Sequence, residues 1–120
     1  VKVILGGYSL AGLFSLWSTY KSNTFSAIAA ASPSVWFNGW EEFMNNNTPL
    51  SNTIYLSLGD TEEKTKNKVM SVVGDNIRTQ EELLKNDHVN TILEWNKGGH
   101  FSDSDLRVAK AFVWCIGNLC

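Results

Sequence analysis

Short apolar runs of strand composition alternate with stretches of helical period along this chain, and glycine or proline marks most of the joins. Together these predict an α/β fold: a mostly parallel sheet of about four strands with helices on both faces. A chain that returns through a helix after each strand crosses over in the right-handed sense, which makes successive strands parallel. With 120 residues, 43% of them hydrophobic and 18% charged, there is enough apolar material for one domain with its own core.

The elements follow in order. Residues 1–5 are apolar apart from Lys2, with three β-branched side chains, and read as a strand buried on both faces. Leu10, Leu13, Phe14 and Trp17 then recur at helical spacing until polar residues intervene at 21–24. Residues 25–31 form a second apolar run closed by Ser32 and Pro33, where the proline biases its predecessor towards extended geometry. A short helix is expected over 40–47, and "NNNTPLSN" reads as a surface loop. "TIYLSL", 53–58, is the clearest strand and ends at Gly59. Residues 64–85 carry Val69, Val72, Val73, Ile77 and Leu84 near helical spacing, with Gly74 as a weak point. A fourth strand over 91–95, a turn at "NKGG" and a last helix over 103–119 complete the chain. The expected buried face of that helix is Leu106, Ala109, Phe112, Val113 and Ile116.

Several classes of function are disfavoured. Ten basic and twelve acidic residues are scattered along the chain, giving a formal charge of −2 and no basic patch for nucleic acid or an anionic membrane. No apolar run has the length of a spanning helix, and the first residues lack the layout of a signal peptide. Cys115 and Cys120 lie five apart on one expected helix and point in different directions, so neither a bridge nor a metal site is expected. Two thiols favour a reducing compartment, and a cytoplasmic location is expected. No motif for a metal or nucleotide cofactor is present.

In sheets of this kind, ligand sites collect past the carboxyl ends of the strands. The first such loop holds "LGGYSLAG", which places Ser9 at a tight corner between strand and helix with small residues around it. A serine there is projected outward by strained backbone, and the N–H of Leu10, opening the helix, points where an oxyanion would form. An ordinary helix N-cap is the alternative reading of the same serine. The last loop, "NKGGHF", brings His100 to the same edge as a candidate general base, and "SLGDTEEK" after the third strand offers Asp60, Glu62 and Glu63 to orient it. His88 has no comparable setting and reads as an exposed loop residue.

With "GGYSLAG", "AASPSVWF", "LSLGDTEEK", "GGHF" and the closing "RVAKAFVW", the sequence resembles the catalytic C-terminal half of an α/β-hydrolase. Within that superfamily it is similar to the esterase group that includes esterase D and enterochelin esterase-like proteins, and the resemblance spans essentially the whole chain. It implies a carboxylic ester hydrolase acting through a Ser-His-acid triad and a covalent acyl-enzyme. In such hydrolases the acid commonly stands three residues after a glycine that ends its strand, which maps onto Gly59 and Glu62; Glu63 comes next and Asp60 last. The resemblance gives Ser9 the role of nucleophile, His100 that of base and the Leu10 N–H that of oxyanion donor. Trp36 and Phe37 would wall the acyl or alcohol pocket, with Tyr8 beside the nucleophile. One departure is that Ala11, followed by Gly12, stands where the motif has its last glycine, which implies slightly looser packing of helix on strand.

Members of the superfamily begin with further strands before the serine-bearing one, and an early loop supplies the second oxyanion N–H. The chain is therefore expected to be a catalytic region, 1–120, that lacks the N-terminal strands. The open edge of strand 1–5 is then expected to self-associate. The expected partner is a small-molecule ester, with no nucleic acid and no membrane. A non-catalytic binding or scaffold domain on the same fold is the competing function.

Overall fold

The computed structural model describes residues 1–119 and contains one four-stranded sheet, with every neighbouring pair parallel and the strands in sequence order. Its strands are β1 (Ile4–Tyr8), β2 (Ala27–Ala31), β3 (Thr53–Gly59) and β4 (Asn90–Asn96). The helices are α1 (Leu10–Lys21), α2 (Trp40–Asn45), α3 (Val73–Asn86) and α4 (Ser104–Gly117). Period-two alternation sends successive side chains of β2 to opposite faces. Ile28 and Ala30 join Leu13 and Leu16 of α1, Trp40 and Met44 of α2, and Ile77 and Leu84 of α3 in one core. Ala27, Ala29 and Ala31 meet Ala111 and Cys115 of α4 on the other side. Alanine, a poor strand former in isolation, is here the residue small enough to let α4 lie close, so packing overrides propensity.

The first strand is three residues further along than 1–5. Gly6 and Gly7 belong to β1 and not to the turn, because the neighbouring elements leave no room for a side chain. A Cβ on Gly6 would stand 2.6 Å from the Ala29 carbonyl oxygen and 2.7 Å from the Phe112 ring, and one on Gly7 would stand 2.7 Å from Ala11 Cβ. The second and fourth strands and the short helix are where the apolar runs place them, with ends moved by one or two residues.

The long helix starts at Val73 and not at 64. Asn67 Oδ1 accepts the N–H groups of Val69 at 3.0 Å and Met70 at 3.2 Å, a local turn that competes with helix in the polar run before it. Gly74 consequently sits in the first turn of α3, under the Glu63 side chain.

Two helix faces are rotated from expectation. On α1, Leu10, Phe14 and Trp17 are exposed, and the buried side is Gly12, Leu13, Ser15, Leu16, Ser18 and Thr19. The small polar residues cost little there because Ser15 and Ser18 donate to the carbonyls four residues back, both at 2.8 Å, and Thr19 Oγ1 accepts the Ser51 N–H at 2.9 Å. On α4, Leu106, Val113 and Ile116 are exposed, whereas Arg107, Ala111 and Cys115 are buried. An arginine takes the place of a core residue, and the reason lies in the loops above it. Burial pushes the Cys115 thiol up to about 12; Cys120, and with it any statement about the pair, lies outside the described residues. Among the described residues, no helix is long and apolar enough to cross a membrane, and no cluster of three metal-ligating side chains occurs.

Because both obstacles to a side chain at Gly6 belong to packed elements, Gly6→Ala is expected to destabilise the fold by about 1–3 kcal/mol or more, the usual cost of overpacking. A lowered urea midpoint at unchanged slope would register it.

Candidate active site

All four strands end on the same side, and their loops build one cluster. Ser9 is the single residue between β1 and α1, with φ 62 and ψ −121, a conformation costly for a residue with a side chain. Three backbone bonds hold it there. Its N–H donates to the Ala31 carbonyl at 3.1 Å, and its own carbonyl accepts from the N–H groups of Leu13 and Ser34, each at 3.1 Å. The side chain makes no capping bond to the helix, so the N-cap reading fails. Ser9 Oγ instead lies 2.8 Å from His100 Nε2 and 3.4 Å from Ser34 Oγ.

His100 Nδ1 lies 2.7 Å from Glu62 Oε1. An ionised carboxylate only accepts, so Nδ1 carries the proton and Nε2 is free to accept from the Ser9 hydroxyl. Glu62 is almost fully buried, and its second oxygen, Oε2, accepts from the Gly59 N–H at 2.6 Å, Ser32 Oγ at 2.7 Å and the Arg107 guanidinium at 2.8 Å. Burial alone would raise the Glu62 pKa. The bonds from His100, Arg107, Gly59 and Ser32 outweigh it and hold the carboxyl down to about 2.

The other two carboxylates of that loop are engaged elsewhere. Glu63 pairs with Arg78 at 2.7 Å, which holds it below its ordinary range. Asp60 Oδ1 accepts the Gly98 N–H at 3.0 Å and so ties the acid loop to the histidine loop. Tyr8 lies against the His100 ring, centroids 5.2 Å apart, and its hydroxyl donates to the His100 carbonyl. It braces the histidine loop and lines neither of the two cavities that flank the cluster. Trp36 lines one of these cavities together with Glu62 and His100, and Phe37 lines the other together with Leu10. The Leu10 N–H opens α1, where no carbonyl of the helix can reach it. His88, at φ 62, is exposed in the α3–β4 loop, away from the cluster.

Arg107 and Ser32 are the members of the cluster that the sequence reading missed. Arg107 is 1% exposed; one terminal nitrogen donates to the carbonyls of Gly99 at 2.9 Å and Ser102 at 3.1 Å, while the other reaches Glu62 and Ser32. The available signal was a lone arginine one turn before Ala111 and two before Cys115 in an otherwise apolar stripe.

The fold is part of the α/β-hydrolase fold. No protein-family model matches the chain, and no curated protein matches it in sequence. Among the solved structures similar to it are two named siderophore hydrolases. Siderophore hydrolase EstA from Aspergillus nidulans superposes with a TM-score of 0.63 at 19% identity, over 98% of this chain and 49% of that one. Siderophore hydrolase EstB from the same organism does so with a TM-score of 0.63 at 18% identity, over 93% of this chain and 46% of that one. The chain thus spans about half the length of these structures.

Two outcomes follow from the buried carboxylate. Since Glu62 titrates near 2 in the fold and near 4.5 as an ordinary carboxylate, its contribution to stability is complete above pH 4.5 and lost as pH falls through 2. Denaturation curves between pH 6 and about 2 should show this loss, and Glu62→Gln should flatten it. Arg107→Met should cost on the order of 3 kcal/mol, because it leaves a buried carboxylate without its cation. A fall in unfolding free energy of only a few tenths would show the pair to be dispensable.

Proposed function

We propose that the protein is a serine hydrolase acting on carboxylic esters through a covalent acyl-enzyme. The observation that carries this reading is the unbroken hydrogen-bonded run from Ser9 Oγ through His100 to Glu62, at 2.8 and 2.7 Å, with its serine held in strained backbone. Ser9 Oγ attacks the ester carbonyl while His100 Nε2 takes its proton, and the Glu62 carboxylate, ionised throughout the physiological range, balances the imidazolium that forms. The Leu10 N–H donates to the developing oxyanion. His100 then gives the proton to the leaving alkoxide oxygen, and water attacks the acyl-enzyme by the same route in reverse. Trp36 and Phe37 wall two separate cavities, one for each part of the ester. That two structures of like fold carry the name siderophore hydrolase supports hydrolysis as the reaction, and a siderophore-type ester stands beside simple esters and acylated sugars as substrate.

A fluorophosphonate probe tests this directly, since it labels an activated serine and ignores an inert one. The wild-type chain should take the label at Ser9, Ser9→Ala should not, and His100→Ala should slow labelling by about a thousand-fold or more. Glu62→Gln should cost more than Asp60→Asn or Glu63→Gln. A wild-type chain that takes no label would sink the reading in favour of a non-catalytic binding domain.

A further inference from the structure

We infer that the cavity walled by Trp36, Met70, Val73, His100 and Phe101 receives the alcohol moiety of the ester, and that this alcohol is uncharged with an apolar body of about one ring. The inference rests on the serine-hydrolase reading and adds to it the chemistry of the leaving group. When the tetrahedral intermediate collapses, the carbon–oxygen bond to the alcohol breaks, the carbonyl re-forms on the Ser9 ester, and the proton held by His100 Nε2 passes to the departing oxygen. That oxygen must therefore lie against His100, and whatever it carries must extend into the space that His100 borders. One of the two cavities flanking the cluster has His100 in its wall. The other is lined by Leu10, the oxyanion donor, and by Phe37, and shares no lining residue with the first. Trp36 and Phe37 are consecutive, their ring centroids 6.3 Å apart, and each faces a different cavity. The cavity lined by Leu10 and Phe37, which His100 does not border, is left for the acyl part.

Size and charge narrow the occupant. The cavity holds about 270 Å³, below the range of sites that enclose whole ligands, so it suits one moiety of a substrate. Among the described residues, the titratable side chains lining it are Glu62 and His100. The Glu62 carboxylate is already paired with the Arg107 guanidinium and bonded to His100, Gly59 and Ser32, so its charge is balanced within the protein. No lysine or arginine lines the space to receive an anion. The walls are Trp36, Phe101, Met70 and Val73, with Thr61 and Thr65 as the uncharged polar residues. Flat, apolar and uncharged groups match that lining.

The test compares methyl and benzyl butyrate, which share an acyl group and release alcohols of similar acidity. Benzyl butyrate should have the higher kcat/KM with the wild-type chain. Thr65→Trp, at an exposed position that tolerates a large side chain, should fill the cavity and lower the benzyl-to-methyl ratio by about ten-fold or more, while Ser9 still takes the fluorophosphonate label. An unchanged ratio in a labelled variant would overturn the assignment, as would a wild type that shows no benzyl preference. A companion pair, methyl acetate and methyl phenylacetate, should keep its ratio in Thr65→Trp; if that ratio fell instead, the cavity would hold the acyl group. A wild type that takes no label defeats the serine-hydrolase reading itself, and the inference with it.

Discussion

The Glu62 carboxylate is the group on which the site depends. It is buried, and a buried charge survives only when its oxygens are fully bonded. Here the donors come from four places in the fold: Gly59 at the end of β3, Ser32 after β2, His100 after β4 and Arg107 within α4. Satisfying one carboxylate therefore locks three loops and a helix together. Arg107 extends the lock, because the same guanidinium also holds the carbonyls of Gly99 and Ser102 on either side of the histidine. The negative charge that faces His100 and the positive charge that orders the histidine loop form a single pair, which explains why α4 turns an arginine inward.

A second constraint acts at Ser9. Its left-handed φ is unfavourable, and the compensation is spread over the Ala31 carbonyl, the Ser34 and Leu13 N–H groups and the close fit of Gly7 on Ala11. The missing glycine of the motif is accommodated by a shift of the tight contact. Ala11 sits against Gly7, and it is Gly12 that lies beneath the sheet, where a Cβ would be 3.1 Å from the carbonyls of Ala31 and Gly7.

Much of this was legible in the sequence, for definite reasons. β3 has a β-branched and aromatic run closed by glycine, and the joint before α1 is marked by small residues around a lone serine; local chemistry decides both. The positions of Ser9, Glu62 and His100 could be read because each stands beside a glycine-marked strand end. What was not legible depends on pairing across the chain. Whether Gly6 and Gly7 form strand or turn is decided by Ala29, Phe112 and Ala11, none of which is a sequence neighbour of both. The rotation of α4 could not be read from hydrophobic period, because the residue that defines the buried face is charged, and Glu62 together with the Gly99 and Ser102 carbonyls makes its burial tolerable. On α1 the apolar stripe and the buried face differ because Gly12, Ser15 and Thr19 are chosen for size and not for hydropathy.

The register of the sheet explains how the parts come to the same height. Tyr8, Ala31, Ser57 and Glu94 are partners across the four strands, so the chain leaves β1 and β2 at Ser9 and Ser32 while β3 and β4 continue two residues further, to the paired Gly59 and Asn96. At a rise of about 3.3 Å per residue, the acid and histidine loops start roughly 7 Å beyond the serine. They must fold back to reach it, and the bonds from Gly98 to Asp60 and from Thr61 to the Gly98 carbonyl make the two loops bend as one. The imidazole bridges the two levels, with Nδ1 2.7 Å from Glu62 Oε1 and Nε2 2.8 Å from Ser9 Oγ. The cavity beside His100 lies between the histidine loop, the acid loop and Trp36. The stagger of the strand ends thus sets how far the histidine loop must reach back to bring His100 Nε2 to Ser9 Oγ.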